Sequence, residues 1–193
     1  SKTISHALEG TPGHIMVKKI SASQDWHNMA QTGSNYELLS LNDSGGSLGT
    51  TAQSNVADST TFNVGYLQGW GGFGNESDET YVAYLFAHDD SDESMIKCGS
   101  YNGQGQIDVG FEPQWLLIKP TDMSYDWILI DNMRGFPASP PAYSSTLSAN
   151  TPAAEKANSL GIHITSNGFV NTTFGSNCIY MAIRRPNKPA EEF

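Results

Sequence analysis

The sequence predicts an all-β chain made of tandem β-sandwich repeats, jelly-roll-like, with very little helix. Three observations carry that expectation. More than a third of the 193 residues are Gly, Ser, Thr or Asn, which suit short strands and tight turns and suit long helices poorly. Aliphatic and β-branched runs alternate with glycine-rich turn clusters, the pattern of sandwiches and barrels. A sequence pattern also recurs at a fixed offset, the mark of an internal repeat.

The recurring pattern is Pro-x4-[Val/Ile]-Lys-x6-Asp-Trp. Pro12, Val17, Lys18, Asp25 and Trp26 are matched by Pro113, Ile118, Lys119, Asp126 and Trp127, each pair 101 positions apart. A looser match pairs Tyr36 and Asn42 with Tyr143 and Asn150, and Phe62 and Val64 with Ile162 and Ile164. Both halves close on an aromatic-bearing run, 80–86 and 177–183. The chain therefore divides into a first β repeat at 1–93, a second at 94–185 and a polar tail at 186–193. Trp26 and Trp127, with Pro12 and Pro113, are the expected core anchors.

His14–Ile20 and Gln114–Lys119 begin just after a proline, which a strand tolerates at its first residue. Trp127-Ile128-Leu129-Ile130 is apolar throughout, as expected of a strand buried on both faces. Turn clusters fall at 42–46, 69–74, 102–105 and 166–168, and the Asn-Gly pairs in the last two are hairpin signals. Pro152–Ser159 alone has helical character, for about two turns.

Composition narrows the function classes. Twenty acidic against ten basic residues leave a net charge of -10, a field that repels phosphate backbones and anionic membranes. Charged residues are only 16%, below the roughly 25% of ordinary soluble domains. The longest apolar run, 81–87, is strand length, far short of a bilayer-spanning helix. The start at Ser1-Lys2-Thr3 points to a piece of a longer protein.

No strong catalytic motif is present. The five histidines are scattered and none lies in HExxH, and there is no GxSxG elbow or P-loop. Cys98 and Cys178 lack metal-ligand spacing and read as two small buried thiols. No cofactor is implied. Asp25 and Asp126 could belong to a glycosidase pair, but their matched places beside tryptophan favour structure. Asp89, Asp90, Asp92 and Glu93 could hold calcium or form a solvated acidic linker. Asn42, Asn75 and Asn171 stand in glycosylation-type triplets that such a composition produces without any sugar.

The stretch Gly69-Trp70-Gly71-Gly72-Phe73-Gly74 is the most unusual. Its glycines cannot shelter two large aromatics. Trp70 and Phe73 either pack against a neighbouring subunit or the core, or stack on a sugar ring.

The second half carries Gly110-Phe111-x-Pro113-x-Trp115-Leu116-Leu117-Ile118-Lys119, then Trp127, Asp131, Arg134-Gly135, Asn150, Ser166-Asn167-Gly168-Phe169 and Tyr180-Met181-Ala182. It resembles a repeat common in bacteriophage virion proteins, often tail-fibre or structural proteins of marine and cyanobacterial phages. The first half resembles the companion repeat through Ile4-Ser5-His6-Ala7-Leu8, Pro12, Val17-Lys18, Trp26, Leu41-Asn42 and 81–87. Cys178 stands where such repeats usually carry Tyr. The resemblance implies a non-enzymatic tail-fibre or capsid-decoration domain on the virion surface. It implies other virion proteins as partners, homo-oligomers, usually trimers, and host attachment through a surface glycan, and it transfers no catalytic residue. The alternatives are a carbohydrate-binding module and a polysaccharide depolymerase.

Overall fold

The computed structural model describes residues 2–64, 78–88, 91, 95–137 and 143–184. In chain order the elements are β1 (Lys2–Ser5), β2 (Pro12–Lys19), β3 (His27–Thr32), β4 (Asn35–Ser40), β5 (Gly49–Ala52), the one-turn α1 (Gln53–Val56), β6 (Thr61–Val64), β7 (Tyr81–Ala87), β8 (Ile96–Asn102), β9 (Gly105–Asp108), β10 (Pro113–Pro120), β11 (Ile128–Asp131), β12 (Ser144–Ser148), β13 (Lys156–Leu160), β14 (Ile162–Thr165), β15 (Gly168–Asn171) and β16 (Asn177–Arg184). The fold is all-β, and every strand pair is antiparallel.

Two large sheets dominate. One has the order β5-β4-β3-β2-β7 and the other β13-β12-β11-β10-β16-β8. Small sheets, β1-β6 and β14-β15-β9, back them. Strand alternation sends successive side chains to opposite faces, and here both faces are apolar. Ile15, Val17, Met29 and Leu38 pack with Ile4 and Phe62 of the β1-β6 sheet. Leu116, Ile118, Ile128 and Ile130 pack with Ile107, Ile162 and Phe169 of the three-stranded sheet. The intervening residues Met16, Ala30, Leu39, Leu117, Trp127, Leu129, Ile179 and Met181 form a third cluster, between the large sheets. The result is four stacked β layers with three apolar seams. β11 is thus buried on both faces, as its uninterrupted apolar run predicts.

The sheets are laid out alike. Reading β10, β11, β12, β13 and β16 for β2, β3, β4, β5 and β7 reproduces the same strand order. In each large sheet the long strand β2 or β10 starts at a buried proline and shifts register just after it, between Pro12 and His14 and between Pro113 and Trp115. The same side-chain clasp precedes β3 and β11. Asn42 accepts from the Trp26 amide at 2.8 Å and donates to Asp25 at 2.7 Å. Asn150 accepts from the Trp127 amide at 2.9 Å and donates to Asp126 at 3.0 Å.

Several expectations need correction. The segment expected to be helical, 152–159, supplies the edge strand β13 instead. Two turns cannot offset helix nucleation, and β12 offers a ladder. Tyr143 is not the counterpart of Tyr36: it is exposed, whereas Tyr36 is buried and donates its hydroxyl to the Pro12 carbonyl. The β3–β4 hairpin turns in two residues at Gly33 (φ 64), while the longer β11–β12 connection lengthens the sequence offset: His27 pairs with Ser40 and Ile128 with Ser148, so Ser144 and not Tyr143 stands where Tyr36 does. Phe62 pairs with Ile4 as Phe169 pairs with Ile107, so its counterpart lies on β15, not at Ile162 on β14. The 102–105 cluster does not close a hairpin. It carries the chain from β8 in a large sheet to β9 in a small one.

The two tryptophans also part company. Trp127 is 1% exposed, and its indole N–H donates to the Ser40 carbonyl across the seam at 2.9 Å. Trp26, expected as an equal anchor, is half-buried and packs beside Tyr84 with ring centroids 6.0 Å apart. Trp127→Ala should lower unfolding free energy by about 3–5 kcal/mol, and Trp26→Ala by about 1 kcal/mol. Urea denaturation of both variants measures the difference; equal losses would place both rings in comparable cores.

The central seam contains one buried polar pair. His14 Nε2 and Asn28 Oδ1 lie 2.5 Å apart, and the His14 ring stands 6.3 Å from that of Trp127. Burial lowers His14 from 6.5 to about 4 against the opposing hydrogen bond, and burial also lowers His27. The unfolded chain therefore binds the proton first as pH falls, and stability present above pH 6.5 is lost between 6.5 and about 4. His14 alone should cost about 2 kcal/mol between pH 7 and pH 5. His14→Gln should flatten that part of the curve of urea midpoint against pH.

Candidate functional site

At one end of the central seam the large apolar side chains stop. Thr32 at the end of β3, Glu37 on β4, Ser100, Tyr101 and Asn102 on β8, Thr121 after β10, and Asn177, Cys178 and Ile179 on β16 surround a cleft of about 430 Å³. That volume lies within the roughly 300–1,000 Å³ of small-molecule sites. Both large sheets contribute walls, and Ile179 continues the apolar seam into the cleft.

The walls are fixed from behind. The loop after β4 docks on the end of β10: the Ser47 amide donates to the Thr121 carbonyl at 2.6 Å, and the Tyr125 amide to the Ser44 carbonyl at 2.9 Å. A Cβ on Gly46 would meet the Thr121 carbonyl oxygen at 2.9 Å, so glycine permits this approach. The Ser47 hydroxyl donates to the Glu37 carboxylate. The Thr121 amide donates to the Asn177 carbonyl at 2.8 Å, and Asp122 accepts from the Asn177 amide at 3.0 Å. The Asn102 side chain donates from Nδ2 to Asn177 Oδ1 across the β8–β16 pair.

Asn171 anchors the adjoining turn. It is fully buried, and its side chain satisfies all four of its hydrogen-bonding positions. It donates to Gly103 and Phe174 carbonyls at 3.0 and 2.8 Å and accepts from the Thr173 and Phe174 amides, both at 3.0 Å. Gly103 follows Asn102 of the cleft. The sequence marks Asn171 only as part of an Asn-x-Thr triplet. Its long-range bond to Gly103 has no local signal.

Among the described residues no Lys, Arg or His lines the cleft. Lys119 lies fully buried beside it, donating to the Pro120 carbonyl at 2.7 Å and reaching the Ser44 carbonyl at 3.5 Å. Burial lowers its ammonium to about 8 against the opposing charge of Asp43. Burial raises the Cys178 thiol and the Tyr101 phenol, which keeps both protonated at neutral pH. A protonated thiol is a poor nucleophile. The described lining offers neutral donors and acceptors and one carboxylate.

Of the sequence-stated residues, Pro12, Pro113 and Trp127 are buried and Trp26 is half-buried. Trp70 and Phe73 lie outside the described residues, as do Asp89, Asp90, Asp92 and Glu93. Among the described residues no group of three or more His, Cys, Asp or Glu side chains could hold a metal ion, and no helix is long and apolar enough to cross a membrane. Cys98 and Cys178 are both free and buried, as expected. None of the cleft residues carries a motif, because they come from strands far apart in sequence.

The fold and the cleft together define an all-β protein of four stacked layers with a polar opening between its main sheets. The chain belongs to the DUF7483 family, a domain of unknown function, which it matches over residues 1–184. No curated protein and no solved structure matches the chain.

Asn171→Ala should lower unfolding free energy by about 2–3 kcal/mol, since it strands buried carbonyls and amides. Urea midpoints measure this. A loss below about 0.5 kcal/mol would show that water replaces the side chain.

Proposed function

We propose that this chain is a non-enzymatic structural and host-contact domain of a bacteriophage virion, in a tail fibre or a capsid decoration. The observation that carries the structural half is the pair of large sheets buried on both faces by the same strand order. That layout supports reading the chain as two related units, and a stack with three apolar seams suits an appendage exposed to proteases and dilution. The host-contact half draws on the cleft between those sheets, lined by hydroxyls, carboxamides and one carboxylate. The low proportion of charged residues suits a surface that meets polar, uncharged partners. The sequence resemblance supplies the virion context and the extracellular location.

Other virion proteins and further copies of the chain are the partners this reading implies, and a trimer is the proposed assembly. Its residue-level motive is the pair Trp70 and Phe73 in a glycine-rich segment. An apolar contact there would contribute roughly 25 cal/mol for each Å² covered.

Imaging of the parent particle with this domain labelled tests the reading directly, and label on a fibre or on the capsid exterior is the expected result. Label absent from intact particles would overturn it. Sedimentation of the 193-residue chain should show a trimer that survives high salt and that Trp70→Ala dissociates. A monomer at high micromolar concentration would remove this segment as an assembly contact.

A further inference from the structure

We propose that the cleft between the two large sheets is a binding site for a neutral saccharide unit, with Glu37 as its charged acceptor. This deepens the host-contact reading and rests on it.

Elsewhere the space between the sheets is closed by Leu39, Leu117, Trp127, Ile179 and Met181, and close packing is the norm for such an interior. At the cleft the facing residues become Thr32, Glu37, Ser100 and Asn102. Short polar side chains leave the layer unfilled where larger aliphatic ones would close it. The space is therefore open and polar, and its walls are held by bonds from behind rather than across it.

The chemistry of the lining selects the ligand. The hydroxyls of Thr32 and Ser100 are not bonded to other described side chains. Each can donate or accept, as sugar hydroxyls do. Glu37 holds the Ser47 hydroxyl, and a carboxylate retains further acceptor positions for a pair of ligand hydroxyls, as charge-assisted bonds. Ile179 supplies an apolar patch for the C–H face of a ring. Among the described residues a phosphate or an acidic sugar finds no counter-charge in the lining: the ammonium of Lys119 is engaged with backbone carbonyls, and Asp122 lies just behind Asn177.

The test uses the whole chain, with ¹⁵N labelling. Maltose, cellobiose and lactose serve as neutral probes, glucuronate as the acidic probe and spermidine as the cationic one. Saturable shifts at Thr32, Ser100, Asn102 and Asn177 with at least one neutral sugar, and none with glucuronate, are expected. Glu37→Gln, which keeps the shape, should weaken that binding about tenfold. Ser100→Leu, which fills the cleft, should abolish it with the urea midpoint unchanged or raised. If Ser100→Leu does not fold, Glu37→Gln decides alone. No response to any neutral sugar, shifts confined to the Trp26–Tyr84 pair, tighter binding of glucuronate, or a response to spermidine alone would each overturn the inference. Any of these results combined with label on the virion surface would leave the structural reading standing. A virion without label and a cleft that binds sugar would do the reverse.

Discussion

The rest of the structure depends on the seam between the two large sheets. Its centre is Trp127, whose indole fills the gap while its N–H reaches the Ser40 carbonyl of the opposing sheet. A tryptophan suits this place because it covers a large apolar area and its one donor can be satisfied at the far wall. Without that seam each sheet would expose an apolar face, and neither half is large enough to tolerate this. The close passage of β2 and β8 follows from the same constraint: a Cβ on Gly13 would come within 2.6 Å of Cys98 Cβ and 2.7 Å of His88 Cβ. β8 belongs to the six-stranded sheet yet lies against β2, β3 and β7 of the other. It locks the two together.

The seam is not uniformly apolar, and its polar members follow a gradient. His14 and Asn28 sit in its interior as a bonded pair. Lys119 lies further along with its ammonium on two backbone carbonyls. Beyond it the hydroxyls and carboxamides of the cleft begin. Each buried polar group carries a desolvation cost that only a partner offsets. Lys119 shows how this is met. The loop after β4 folds over the end of β10 and supplies the Ser44 carbonyl and the Ser47–Thr121 bond. The same docking that shelters the lysine forms a wall of the cleft, so the seam's stability and the site's shape share one contact.

Much of the fold was legible because strand alternation writes itself into local sequence. The β11 run with no polar interruption announced burial on both faces, and the matched Pro, Lys and Asp-Trp positions marked corresponding strands. What was not legible is the consequence of that burial. A strand apolar on both faces must lie between two other layers, and the sequence did not show that the second layer is the other half of the chain. Trp26 departs from the expectation for this reason: its local motif equals that of Trp127, but burial is decided by which sheet covers it. The 152–159 segment failed because alanine and glutamate preferences weigh little against an available edge. The cleft was invisible for a different reason. Its small polar residues are ordinary Thr, Ser, Asn and Glu drawn from β3, β4, β8, β16 and the end of β10, and nothing local distinguishes them from turn residues.

The two tryptophans share a local clasp and differ in what covers them. Both follow an aspartate, and both have their backbone amide held by an asparagine from the next loop. Identical local clasps deliver both rings to the same side of corresponding sheets. The sheets, however, do not cover each other symmetrically. The loop at 42–47 reaches across to the end of β10, and β8 extends the six-stranded sheet by a strand that the other sheet lacks. Cover is therefore concentrated over Trp127, while Trp26 is left at the margin with Tyr84, itself 50% exposed. The conserved geometry lies in the clasp, and the difference lies in what packs above it. Trp127 is enclosed between the sheets, whereas Trp26 faces the boundary between core and solvent, where substitution costs less. The polar cleft arises from the same mismatch, since two sheets that overlapped in full would leave no unfilled end.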